Sequence, residues 1–193
     1  MFDIFIKRIK TYFHSQDVHC FSKGRVALYA VLKSILSEKL ILPGYTCLVV
    51  PTAGMIQGMK PLYVDIDPRT YNINPEHLEQ LECRERAVLI VQHTYGIPCD
   101  MEPILAWASA RGIPVIEDCC LAFGSRYKGQ LCGTFGIASY FSGQWNKPFS
   151  TGLGGMLIVN NEELAARVQA LIEEEMIDPP LSHRFRIWLQ LKL

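Results

Sequence analysis

Asp100-Met-Glu-Pro-Ile-Leu-Ala-Trp-Ala-Ser-Ala-Arg-Gly-Ile-Pro-Val-Ile-Glu-Asp118 decides the fold class. Its first part predicts a helix, with Asp100 at the cap and Gly112 as the stop. Its second part, from Ile113 to Glu117, predicts a strand that Asp118 closes. Upstream, Ala87-Val-Leu-Ile-Val-Gln-His93 is a fully apolar strand. Further back, Lys60–Asp65 and Leu40–Pro43 read as strands. Between and before them, helices are predicted over Thr46–Gly58 and from Gly24 to about Ser37. In the earlier helix Ala27, Leu28, Val31, Leu32, Ile35 and Leu36 recur at helical spacing. Asn74-Pro-Glu-His opens another helix, with asparagine as cap and proline at the first helical position. Downstream, Ala138–Phe141 and Met156–Val159 are further strands, and Glu162–Glu175 is an amphipathic helix. Strands that are continuous apolar runs, alternating with helices, predict an α/β three-layer sandwich with a mostly parallel central sheet.

The chain divides into three expected parts: an N-terminal helical segment over 1–21, a large domain over 22–176, and the start of a further region over 177–193. The first contains Phe2-Asp-Ile-Phe-Ile-Lys-Arg-Ile-Lys, which mixes apolar and basic residues as a packing helix does and has no signal-peptide core. The last stops in an apolar pattern, with Ile187, Trp188, Leu189, Leu191 and Leu193, and reads as a region cut short or covered by a partner.

A length of 193 residues allows one sizeable core. Net charge is zero, so nucleic acid and anionic membrane are not expected partners. No apolar run reaches membrane-spanning length. The seven cysteines, at 20, 47, 83, 99, 119, 120 and 132, include no C-x-x-C pair. They predict buried reduced thiols in a cytoplasmic protein rather than a disulfide framework or a metal site.

Two residues carry the chemical interest. Asp118 ends one predicted strand, and Lys147 follows another in Tyr140-Phe-Ser-Gly-Gln-Trp-Asn-Lys-Pro-Phe. In such sheets ligands bind beyond the carboxyl ends of the strands. A carboxylate and a lysine placed there match what pyridoxal phosphate chemistry requires. The lysine can form a Schiff base, and the aspartate can keep the ring nitrogen protonated. Ser142 lies five residues before Lys147, so its hydroxyl can reach the same ligand if the loop turns back. Ser22-Lys-Gly-Arg-Val-Ala-Leu joins a loop to a helix start, a place suited to phosphate, with Gly24 allowing close approach and Arg25 adding charge. Thr151-Gly-Leu-Gly-Gly supplies a tight backbone nearby. His93 sits near a strand end and has no firm role.

Several segments, in order, resemble the DegT/StrS-type nucleotide-sugar aminotransferases, pyridoxal phosphate enzymes of the aspartate aminotransferase fold. They are Gly24-Arg-Val-Ala-Leu, Leu42-Pro-Gly-Tyr-Thr-Cys with Val64-Asp-Ile-Asp-Pro, and Gln92-His-Thr-Tyr-Gly-Ile-Pro-Cys-Asp-Met. Val115-Ile-Glu-Asp-Cys-Cys-Leu-Ala-Phe-Gly, Tyr127-Lys-Gly and Phe141-Ser-Gly-Gln-Trp-Asn-Lys-Pro-Phe-Ser-Thr-Gly-Leu-Gly-Gly complete the set. The resemblance implies the large domain of that fold without the small C-terminal domain. It implies Lys147 as the Schiff-base lysine, Asp118 as partner of the pyridine nitrogen, and Ser142, Gly24 and Arg25 at the phosphate. It further implies an amino donor such as glutamate, a keto nucleotide sugar as acceptor, and a homodimer. Two positions depart from the family's pattern. Leu121 stands where a glutamine contacts the ring oxygen, and Cys47 where an aromatic side chain stacks on the ring. With the short length, they leave open a cofactor-binding relative without turnover.

Overall fold

The computed structural model describes residues 2–83, 86–176 and 182. The expectations for 177–193, including the apolar residues from Ile187 onward, lie outside the described residues. The chain runs α1 (Phe2–Phe13), β1 (Asp17–Phe21), α2 (Gly24–Ser34), β2 (Lys39–Pro43), α3 (Val49–Ile56), β3 (Lys60–Val64) and α4 (Pro75–Glu79). It continues with β4 (Ala87–Gln92), α5 (Met101–Ser109), β5 (Val115–Asp118), β6 (Arg126–Tyr127), β7 (Gln130–Leu131), β8 (Ala138–Ser142), β9 (Gly155–Val159) and α6 (Glu162–Glu175).

Seven strands form one sheet in the order β1-β9-β8-β5-β4-β2-β3. From β3 across to β8 every pairing is parallel, and β9 is antiparallel to both β8 and β1. The pleat sorts each strand's side chains to two faces. Leu40, Leu42, Val88, Ile90, Ile116, Leu157 and Val159 pack with α2, α3 and α6 on one face. Ile41, Leu89, Val91 and Val115 pack with Leu78 of α4 and Met101, Ile104 and Trp107 of α5 on the other. Toward β1, that second face is covered by Ile9 and Phe13 of α1, against Phe141, Met156 and Ile158. Strands buried on both faces explain the continuous apolar runs in the sequence.

Two local expectations need correction. Residues 1–21 are not uniformly helical, because Asp17–Phe21 form β1, an edge strand registered against Val159–Gly155. The strand gains ladder hydrogen bonds from β9 that no local pattern encodes. Asp100 does not cap α5 with its side chain. Its carboxylate instead accepts from the Tyr127 hydroxyl. The expected cap at Asn74 forms, its Oδ1 accepting from Glu76 N at 3.0 Å, and Asn161 caps α6 as well, its Oδ1 accepting from Leu164 N at 2.9 Å.

The start of α2 is wedged against β9. A Cβ added at Gly155 would overlap the Lys23 carbonyl and the Gly24 nitrogen. Gly155→Ala is therefore expected to lower stability by about 1–3 kcal/mol through overpacking against backbone. Gly44→Ala, whose Cβ would meet only Val64 O at 3.6 Å, should change stability little. Urea unfolding of the two variants side by side checks the contrast.

Candidate active site

The carboxyl ends of β4, β5 and β8 and the start of α2 enclose a cavity of about 440 Å³. Gly24, Arg25, Asp118, Ser142 and Lys147 all line it. Parallel pairing of β5 with β8 puts Asp118 opposite Tyr140 in register. Ser142 follows two residues on, so all three side chains leave the sheet on the α2 face. Gly24 sits where a Cβ would press on Phe141 O and Ser142 Cβ, each at 3.0 Å. Glycine there lets the α2 start close onto the end of β8. The first turn of α2 carries no side-chain cap; Val26 N and Ala27 N donate to Lys23 O, at 3.0 and 3.4 Å, so the Gly24–Arg25 end of the turn and the positive end of the helix dipole are what the helix offers an anion at the cavity.

Asp118 is buried, with 6% of its surface exposed. Its Oδ1 accepts from Cys120 N at 2.9 Å and its Oδ2 from the Tyr140 hydroxyl at 2.5 Å. The Cys120 thiol lines the cavity as well, and its pKa is pushed up by burial and then by the Asp118 charge, so it is a neutral wall group. Lys147 is half-buried. Among the described residues its Nζ makes no hydrogen bond or ion pair, and neither does the Ser142 hydroxyl.

The loop that carries Lys147 is closed on itself by Gly143 N to Gly154 O at 2.9 Å and Thr151 N to Gly143 O at 3.0 Å. Its far side is held by stacking. Phe149 lies on Phe123 with ring centroids 4.6 Å apart, and Phe123 lies on Tyr12 at 5.9 Å. Phe5 completes the column at 6.3 Å from Phe149. Helix α1 thus buttresses the lysine loop through aromatic faces.

The family departures line the same cavity. Leu121 and Cys47 both face it, and Leu121 offers no polar atom. Gln92 is at the wall but is engaged: its Oε1 accepts from Thr46 at 2.6 Å, and its Nε2 donates to Thr94 Oγ1 at 3.0 Å. Sequence reasoning missed an aromatic group at the mouth. Tyr45 and Tyr95 line the cavity and share a hydroxyl–hydroxyl bond, and Tyr71 packs on both rings. Tyr71 and Tyr95 hold positive φ, 60° and 55°, a conformation uncommon for aromatic residues and without a sequence signal.

His93 belongs to the scaffold. Its Nδ1 accepts from Cys99 N at 3.1 Å, so the ring hydrogen sits on Nε2, which donates to Glu117 Oε2 at 3.0 Å. Glu117 also accepts from Gly133 N at 2.6 Å, Phe135 N at 2.7 Å and Gly136 N at 2.8 Å. Ligand atoms of His93, Glu117 and Cys119 lie within 4.8 Å of one another, the spacing of a metal site. Both ring nitrogens and both carboxylate oxygens are already committed, so the cluster is a hydrogen-bonded core element.

One cavity brings together a lysine that is unpaired among the described residues, a buried carboxylate, a hydroxyl and a helix start without a side-chain cap, a donor set that could hold a phosphorylated, nitrogen-bearing ring. Pyridoxal phosphate is compatible with this donor set: Ser142 and the α2 start could hold its phosphate, Asp118 its ring nitrogen and Lys147 its aldehyde. The chain belongs to the DegT/DnrJ/EryC1/StrS aminotransferase family, whose model matches residues 2–179. It is 40% identical over 157 residues to a GDP-perosamine synthase of Escherichia coli O157:H7, covering 80% of this chain and 43% of that protein. It is 38% identical over 138 residues to a UDP-2-acetamido-2-deoxy-3-oxo-D-glucuronate aminotransferase of Pseudomonas aeruginosa, covering 69% of this chain and 38% of the relative. Among solved structures it superposes on an aminotransferase from Psychrobacter cryohalolentis with a TM-score of 0.80 and 26% identity, over 90% of this chain and 47% of the other. A Bacillus subtilis relative with bound cofactor PMP matches with a TM-score of 0.79 and 27% identity, over 88% of this chain and 39% of that one. The chain spans less than half the length of curated relatives that it matches.

Proposed function

We propose that this chain is the cofactor-binding part of a pyridoxal 5′-phosphate-dependent aminotransferase. It would move an amino group from an amino acid, glutamate in the first instance, to a keto nucleotide sugar for polysaccharide or glycan biosynthesis. The observation that carries the reading is the convergence of Lys147, Asp118, Ser142 and the α2 start on one cavity. The nucleotide-sugar acceptor is supported by the names of the related GDP- and UDP-sugar enzymes.

When bound, pyridoxal phosphate supplies an electron sink for charge that develops at the amino acid's α-carbon. The chain's own residues do the rest. The α2 N–H groups, Arg25 and the Ser142 hydroxyl bind phosphate and fix the ring's position. Asp118 would accept a hydrogen bond from the ring nitrogen and favour its protonated form. Lys147 Nζ would hold the cofactor through its aldehyde. Its free amine would take the donor's α-proton as general base and, as general acid, would deliver it to the cofactor's C4′ carbon.

The test is to load the purified chain with pyridoxal phosphate, reduce with borohydride and map the adduct. The expected result is a single labelled peptide containing Lys147, and loss of the visible band on adding L-glutamate before reduction. An adduct elsewhere would sink the assignment of Lys147. Leu121 and Cys47 at the cavity favour one second reading, a cofactor binder without turnover. It predicts the Lys147 adduct but no response to L-glutamate.

A homodimer is the assembly that goes with this reading, and the exposed apolar side chains of Leu48, just before α3, and of Met55 and Ile56 at its end support it. Sedimentation velocity of the intact chain tests it directly. A reducing, cytoplasmic setting is supported by seven free cysteines. Among the described residues no helix is long and apolar enough to cross a membrane.

A further inference from the structure

Tyr140 is a buried polar side chain that the reaction scheme above does not use. It is 2% exposed, it lines the cavity, and its ring packs among the apolar residues of the α2 face. A buried hydroxyl needs a partner, and the one it has is the Asp118 carboxylate. Burial, and then the Asp118 charge, push the Tyr140 pKa well above that of a free phenol. The group therefore remains a protonated donor. The β5–β8 register makes the pairing obligatory, because Asp118 and Tyr140 are direct cross-strand neighbours on one face.

The geometry around Asp118 is divided evenly. Cys120 N–H holds Oδ1, and Tyr140 O–H holds Oδ2. Two donors on different oxygens leave the carboxylate one orientation, and a carboxylate's four lone-pair sites can take further donors. A backbone donor alone would fix one oxygen and leave the group free to swing about it.

We infer that Tyr140 is a positioning residue for the cofactor, its hydroxyl fixing the Asp118 carboxylate in the orientation that receives the ring nitrogen. The inference rests on the cavity being the pyridoxal phosphate site. A plain packing role makes a different prediction, since phenylalanine would then serve as well.

The decisive experiment is a double-mutant cycle on pyridoxal phosphate affinity, read by fluorescence quenching, in the intact chain. Tyr140→Phe removes a single oxygen, so the apoprotein should still melt cooperatively. It is expected to weaken cofactor binding by about tenfold, the scale of one hydrogen bond to a charged group. Asp118→Ala should weaken binding further. In the Asp118→Ala background, Tyr140→Phe should change affinity by less than about twofold, because the group it positions is gone. Unchanged affinity in Tyr140→Phe overturns the inference. An equal tenfold loss in both backgrounds also overturns it, since the hydroxyl would then act independently of Asp118. If Tyr140→Phe melts too low to titrate, the same comparison is made with Tyr140→Leu in the two backgrounds, and additivity again sinks the idea. Wild-type chain that takes up no pyridoxal phosphate overturns the underlying reading and this one together. A wild-type chain that binds, with an uncoupled cycle, overturns this one alone.

Discussion

Lys147→Ala is expected to abolish the borohydride-fixed adduct and to slow amino transfer by on the order of 10⁴-fold, the upper range for losing a general acid–base group. The effect should be chemical rather than structural. The Lys147 side chain is half-buried, and among the described residues its amine has no partner to lose. The variant should therefore unfold within about 0.5 kcal/mol of wild type. The proposed phosphate groups are elsewhere in the cavity, so pyridoxal phosphate should still enter it, now reversibly and removable by dialysis. Stopped-flow absorbance with L-glutamate, beside a urea titration, separates the two effects. Retained turnover with the lysine gone would mean another amine serves, and the site would have to be reassigned.

Glu117→Ala is expected to cost about 3–5 kcal/mol, as removing one partner from a buried charged network does. The carboxylate has no solvent exposure and accepts from three backbone amides and His93. Without it, the N–H groups of Gly133, Phe135 and Gly136 are buried with nothing to accept them. A loss of that size is a large share of the 5–15 kcal/mol that holds a typical domain together. Urea midpoints give the magnitude. Hydrogen exchange gives the place: the Gly133, Phe135 and Gly136 amides should open first. Normal protection at those three amides would contradict the account.

The strands β2 to β5 and β8, the helices α2 and α6, and the cap at Asn74 could be read from the sequence because their causes are local. Each strand buried on two faces must be apolar throughout, and the cap is an asparagine beside a helix start. The residues at the cavity could be found for a related reason, since they sit at element ends that apolar runs mark. What escaped depends on pairing between distant segments. Asp17–Phe21 becomes a strand because β9 accepts it, and nothing within five residues says so. Tyr140 reads as an ordinary strand residue until register sets it against Asp118. Glu117 reads as a neighbour of Asp118 until a turn sixteen residues later folds over it. The β6–β7 hairpin did carry a local signal, since Lys128 and Gly129 both take positive φ in a two-residue turn.

Glu117 and Asp118 are consecutive carboxylates on one strand, and the pleat sends them to opposite faces. One secures architecture, and the other waits at the cavity. They differ by one methylene, so side-chain chemistry does not assign their tasks. Strand parity does. A one-residue slip of β5 against β4 or β8 would exchange them, putting the shorter acid beneath four donors and the longer one at the cofactor. Neither place would then be satisfied, and Val115 and Ile116 would change sides as well. Correct registration of this strand is thus checked twice, once by the core and once by the cavity. A chain that passes the first check has necessarily passed the second.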